Sequence, residues 1–301
     1  MPLEAIEAIQ TTSSPGRRQF LGAPGFTGVL PQSGINGRPA RREVLPPVSA
    51  PWLRWFTWYS RRYCRRHFHS LRVSRSGLPP QLPALPLVIY SNHASWWDAL
   101  VCLVLKNEFF GAHTAFAPID AAMLQRYKFF GRLGFFGVEQ NTRRGAMQFL
   151  RVSEVILQSP RHLLALTPQG RFADARERPV RFAAGLGHLA VRESPAVFVP
   201  LAIEYVFWEE RLPEILVRFG EPVVAGGGHR PRQRPEAWTG FFERELARTQ
   251  DALAAESQRR CPEDFETLLR GRAGQGGIYD LWRAFKAAWR GESFQKEHGN
   301  K

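Results

Sequence analysis

The sequence predicts an α/β fold: a single domain with one mixed β-sheet flanked by helices, plus amphipathic helices at its N- and C-terminal ends. Two observations carry that expectation. Short apolar runs alternate with longer segments of helical periodicity between residues 87 and 257, which is the pattern of a sheet whose faces are covered by helices. The chain has 301 residues, 44% of them hydrophobic, enough to fill one large core with appendages around it.

Residues 1–50 contain seven Pro and six Gly with little apolar periodicity, so they read as a disordered tail. Within it RRQFL at 17–21 resembles a twin-arginine export signal, but GAPGFTGVLPQSG follows where an apolar region belongs, and the match reads as chance. Residues 51–76 begin PWLRWFTWYSRRYCRRHFHSLRVSR, in which Trp52, Trp55, Phe56, Tyr59, Tyr63 and Phe68 interleave with Arg54, Arg61, Arg62, Arg65, Arg66 and Arg72. Spacings of three and four put the aromatics on one helical stripe flanked by guanidinium groups. Such a helix suits a membrane interface, where Trp and Tyr sit among headgroups and Arg meets anionic lipid. The alternatives are an ordinary helix docked on the domain and, more weakly, a stacking surface for nucleic acid.

The body of the domain is expected over 77–260. After the turn-forming GLPPQLPALP, strands are predicted at 87–90, 113–117, 134–138, 163–167, 196–204 and 215–220, and helices at 95–106, 119–130, 143–158 and 236–257. Gly226, Gly227 and Gly228 read as a flexible linker, because no Lys-Ser/Thr follows to make a phosphate loop. Residues 261–301 form a helical extension in which Ile278, Leu281, Trp282, Phe285 and Trp289 make an apolar stripe beside Arg283, Lys286 and Arg290. That stripe fits a second interfacial element or a helix packed back on the domain.

The formal charge of +14 implies an anionic partner. Only five of the 41 basic residues are Lys, so guanidinium groups, which suit bidentate phosphate contacts, carry nearly all of it. Three distant cysteines, Cys64, Cys102 and Cys261, give neither a disulfide framework nor a zinc pattern. The histidines show no metal-ligand spacing beyond His67-x-His69, so no metal centre is expected. No run of 18 uncharged apolar residues occurs, and no spanning helix is expected.

The stretch VIYSNHASWWDAL, residues 88–100, carries the chemistry. His93 and Asp98 are five residues apart, about 140° on a helix, so they cannot face each other along one straight helix. The His is therefore expected in a strand-to-helix corner, with Ser95 as N-cap and Asp98 at the third helical position of a capping box. There the carboxylate can reach back to the imidazole. A His held by a carboxylate is a general base: one ring nitrogen is fixed as N–H and the other takes a proton. Taken alone, the spacing fits equally a capped helix beside an inert corner histidine.

Three further segments follow in order, and NHASWWD with them resembles the four motif blocks of the glycerolipid acyltransferase family, of the 1-acyl-sn-glycerol-3-phosphate (lysophospholipid) acyltransferase type with its NHxxxxD signature. GFFGVEQNTRRGA resembles the second block, TPQGRFADARERPVRFAAGLGHLA the third, with its FPEGTRS-like turn, and VFVPLAIEY the fourth. The resemblance covers about residues 85–205 and implies transfer of an acyl group from acyl-CoA or acyl carrier protein to the hydroxyl of a lysolipid acceptor. His93 would take the hydroxyl proton and Asp98 would orient it, with no metal, bound cofactor or acyl-enzyme. It also implies that Gln169, Gly170, Arg171, Arg143, Arg144 and Arg181 bind substrate, and that the protein sits peripherally on the cytoplasmic face of the cell membrane, against an anionic surface and not nucleic acid. Two departures bear on the acceptor: Gln169 stands where the family has Glu, with Phe172 in place of its Arg and Arg171 one position early, and Gln140 replaces an Arg of the second block. Two acceptors therefore fit, a lysophosphatidate-like lipid held by displaced arginines, or a hydroxylated lipid without a phosphate monoester. A non-catalytic binder of anionic surfaces and a thioesterase or lipid hydrolase are the rivals from other classes; the latter lacks a G-x-S-x-G elbow.

Overall fold

The computed structural model of the protein describes residues 45–79, 81–227 and 234–273. Helix α1 (Ala50–His67) begins with Pro in its first turn, where a missing N–H is harmless, and stops where Phe68 becomes extended. Then come β1 (Ser70–Ser74), β2 (Leu87–Ser91), α2 (Asp98–Phe109), β3 (Thr114–Asp120), α3 (Ala121–Arg126), β4 (Phe135–Val138), α4 (Arg143–Ile156), β5 (His162–Leu166), α5 (Gly185–Ala190), β6 (Ala196–Val206), β7 (Glu214–Phe219), β8 (Val223–Ala225), α6 (Pro235–Arg259) and β9 (Phe265–Arg270).

The strands form one sheet in the order β4-β3-β5-β2-β6-β7-β1-β9, with β8 paired to the start of β6. From β4 to β6 all pairs are parallel; β6–β7 and β1–β9 are antiparallel, and β7–β1 is parallel. The fold is therefore the mixed α/β sheet expected. β2 lies inside it with parallel neighbours on both sides and is buried along its whole length, which is why its sequence is continuously apolar instead of alternating. Leu87 and Ile89 join Val101, Val104 and Leu105 of α2 on one face. Val88 and Tyr90 join α4, α5 and α6 on the other, as a period of two requires. Phe242 of α6 is fully buried, its ring centre 4.9 Å from Phe198 and 5.2 Å from Tyr90; one such side chain contributes about 1.5–3 kcal/mol.

The aromatic and basic helix is shorter than the predicted 51–76. It ends at His67, and 70–74 form β1, a strand between β7 and β9. The reason is the alternation in Ser70-Leu71-Arg72-Val73: Leu71 and Val73 are buried in the core, while Arg72 reaches Glu214 of β7 at 3.2 Å. The sheet also runs past the predicted boundary at 260, since β9 pairs antiparallel with β1. The end of the predicted tail is structured, with Val48 bridging Leu133. The helix expected at 119–130 starts later because Asp120 ends β3 and caps α3, accepting from the N–H groups of Ala122 (2.9 Å) and Met123 (3.2 Å). The rest of that segment is a 3-10 helix, Lys128–Arg132. Residues 1–44 and the stripe from Ile278 to Trp289 lie outside the described residues, as does Gly228 of the linker.

α1 docks through Phe56, Ser60 and Cys64, with Phe56 packed beside Leu100, Phe130 and Leu133. An ion pair between Arg61 and Glu108 of α2 (3.2 Å) is partly exposed and contributes about 0–1 kcal/mol, so the apolar contacts hold the helix. Trp52, Trp55 and Trp58 remain exposed on its outer side. Among the described residues no helix is long and apolar enough to cross a membrane.

Candidate active site

β2 and β5 are parallel neighbours with Tyr90 opposite Leu166, so the segments that leave their C-terminal ends emerge side by side. Open α/β sheets bind ligands at such carboxyl ends. The segment after β2 carries Asn92 and His93, and the segment after β5 carries Gln169, Gly170 and Arg171.

Asn92 fixes the corner. Its amide donates to the Ile203 carbonyl (2.9 Å) and accepts from the Ile203 N–H (2.8 Å), extending the β2–β6 pairing by a side chain after Ser91, opposite Leu201, has ended the strand. His93 then turns out of the sheet. Its N–H donates to Gln169 Oε1 (3.0 Å), and its carbonyl accepts from Ala173 N–H (2.8 Å). Both backbone groups of His93 are thus held by the loop after β5. Gly170 has φ +66 with open space where a Cβ would stand, so glycine serves the left-handed turn there and not a close approach.

The imidazole Nδ1 lies 2.8 Å from Asp98 Oδ2. A carboxylate only accepts, so Nδ1 carries the hydrogen and Nε2 keeps its lone pair. Asp98 is buried at 1% exposure and is satisfied three times: Oδ2 also accepts the Ser95 N–H (3.0 Å), and Oδ1 accepts the Tyr205 hydroxyl (2.7 Å). It stands at the first residue of α2, where the helix N-terminus favours negative charge. Half of the expected capping box is present, the carboxylate reaching back to Ser95 N–H. The other half is not: Ser95 Oγ meets only Trp97 N–H at 3.4 Å, and the helix begins at Asp98 and not at 95. Three groups binding one carboxylate outweigh a weak serine cap.

Nearby thiols are inert. Burial, and secondarily Asp98, push Cys102 up to about 12, and burial does the same to Cys64, so neither supplies a thiolate nucleophile. Burial followed by Asp98 raises Tyr205 well above the usual phenol range, which keeps it a donor.

The arginines are more scattered than the sequence suggests. Arg171 lies in the His93 loop, but its guanidinium pairs with Glu177 and donates to the Phe172 carbonyl (3.2 Å). Arg181 faces Glu243 of α6 at 3.7 Å. Arg176 is bidentate to Asp174, and Arg178 pairs with Asp251, so the 176–181 run is largely a paired surface loop. Arg143 and Arg144 are exposed at the start of α4, behind a Thr142 cap that accepts Gly145 N–H at 2.9 Å. They share the carboxyl edge of the sheet, but β4 is three strands from β2, about 14 Å at the usual strand spacing. Phe172 instead places its ring centre 4.3 Å from that of His93. Of the predicted residues, His93, Asp98, Gln169 and Gly170 come together; the four arginines do not converge on the imidazole. Asn92 and Tyr205 were absent from the predicted set. Period two in AVFVPLAIEYV places Tyr205 on the face of Leu201 and Ile203, but only the β2–β6 register shows that this face meets Asp98.

The sequence matches no protein-family model and no curated protein. Among solved structures, similarity is found to the 1-acyl-sn-glycerophosphate (LPA) acyltransferase PlsC from Thermotoga maritima, with 14% identity and a TM-score of 0.45, covering 67% of this chain and 80% of that one.

Proposed function

We propose that the protein is an O-acyltransferase that moves a fatty acyl group from acyl-CoA or acyl carrier protein to a lipid hydroxyl. The observation that carries this reading is the His93–Asp98 pair, with Nδ1 committed to a buried, three-times-satisfied carboxylate and Nε2 left as the base. The acceptor hydroxyl gives its proton to His93 Nε2 while its oxygen attacks the thioester carbonyl. The new C–O bond forms, the C–S bond breaks, and the proton passes to the leaving thiolate. No metal, bound cofactor or acyl-enzyme takes part.

A lysophosphatidate or lysophospholipid is the first acceptor reading, with Arg143, Arg144, Arg171 and Arg181 drawn to its phosphate. The second is a hydroxylated lipid without a phosphate monoester. It is favoured by the Phe172 ring over His93 and by the engagement of Arg171 with Glu177. The test is one acyl-CoA against a panel of lysolipids with and without phosphate, scored by thiol release and product mass. Release is expected only when an acceptor is present; equal fatty acid formation without one would identify a hydrolase instead.

Peripheral attachment to an anionic membrane is part of the same proposal, supported by the exposed Trp52, Trp55 and Trp58 and the arginines of α1. Deleting 51–76 is a poor test because it removes β1 from the sheet. Serine at all three tryptophan positions is expected to abolish flotation with anionic vesicles while leaving thermal unfolding within about 1 °C, since these side chains pack little of the core. Intact flotation would remove α1 as the attachment element.

A further inference from the structure

We infer that Tyr205 is a positioning residue for the base, its hydroxyl fixing the Asp98 oxygen that does not face His93. The inference rests on the proposed acyl transfer. A carboxylate held at only one oxygen can swing about its Cβ–Cγ bond, and the imidazole bonded to it swings too. In this protein Oδ2 takes His93 Nδ1 and Ser95 N–H, while Oδ1 takes Tyr205 alone among the hydrogen bonds described. Tyr205 therefore sets the plane of the carboxylate.

The phenol is itself held. Its ring lies 5.4 Å from Trp97 and 5.8 Å from Phe68, and the Asn92 clamp on Ile203, two residues earlier on β6, ties that strand to the corner that carries His93. Trp97 and Asn92 belong to the segment that presents the base. The same six residues that deliver His93 and Asp98 thus also build the socket for the phenol. An aromatic needed only to fill the core would gain nothing from aiming its hydroxyl at a carboxylate 2.7 Å away.

The test is Tyr205→Phe, which removes one oxygen and keeps the ring. A hydrogen bond to a charged group, fully used in the transition state, corresponds to about a 10- to 150-fold loss of kcat, with KM little changed because the phenol touches no substrate. The titratable groups around Asp98 are His93 from the corner, Tyr205 from β6 and Cys102 from α2, the last held as a thiol. Without the phenol the carboxylate draws the imidazolium more strongly, so the acid limb of the kcat/KM profile is expected to move to higher pH. The low-field Nδ1–H proton resonance, assigned by its loss in His93→Ala, is expected to shift.

A kcat loss together with the limb and resonance shifts, at an unchanged unfolding midpoint, supports the role. An unchanged rate, limb and resonance overturns it, as does a fall in rate that follows only a lowered unfolding midpoint. His93→Ala, assayed alongside, separates the two layers. Full activity in that variant removes the acyl-transfer site itself; an inactive His93→Ala beside an unaltered Tyr205→Phe removes Tyr205 alone.

Discussion

Alanine at position 93 is expected to lower acyl transfer by about 10²- to 10⁴-fold, the usual contribution of a positioned general base. The fold should survive, because the bonds that seat residue 93 are made by its backbone, to Gln169 Oε1 and to Ala173 N–H. Asp98 keeps Ser95 N–H and the Tyr205 hydroxyl, so the buried carboxylate is not orphaned. Thiol release under single turnover, beside a thermal melt, measures both consequences. Undiminished transfer in a folded variant would sink the assignment.

Asp98→Asn is expected to be nearly as severe, about 10²- to 10⁴-fold in kcat, although it changes the shape of the side chain hardly at all. The site offers Asp98 three donors, and an amide has only one oxygen to answer them. With that oxygen toward His93 and Ser95, the imidazolium formed during reaction loses its countercharge. With the amide turned round, its NH₂ meets Nδ1, the ring adopts the opposite tautomer, and Nε2 carries a hydrogen where the base is needed. Either orientation stops the chemistry. A kcat within a few-fold of wild type would mean that Asp98 is only a helix residue.

Much of this was legible from the residues. The strand leading to His93, the corner and the back-reaching carboxylate follow from a buried apolar run, a polar turn and an acid at a helix start, all of them local signals. What escaped was long-range. β1 was hidden because the aromatic spacing of 52–68 runs without a break into Leu71 and Val73, and only pairing with β7 and β9 makes those residues a strand. Phe265–Arg270 had no reason to be a strand until β1 was one. The arginine assignments failed to converge for a related reason: Glu177 and Glu243 compete for Arg171 and Arg181, and competition between side chains far apart in sequence is set by packing. Tyr205 needed the β2–β6 register.

The placement of β1 has a consequence for how the chain is made. Its partner Glu214 lies 144 residues downstream of Ser70, and β9, which covers its other edge, ends at Arg270. At ordinary elongation rates of about 5–20 residues per second, β1 waits some 10–40 s after leaving the ribosome before both neighbours exist. During that interval an apolar strand with two open edges trails a helix bearing Trp52, Trp55 and Trp58. The nascent chain is most vulnerable to mispairing near its beginning, and completion of the sheet is among the last events of synthesis.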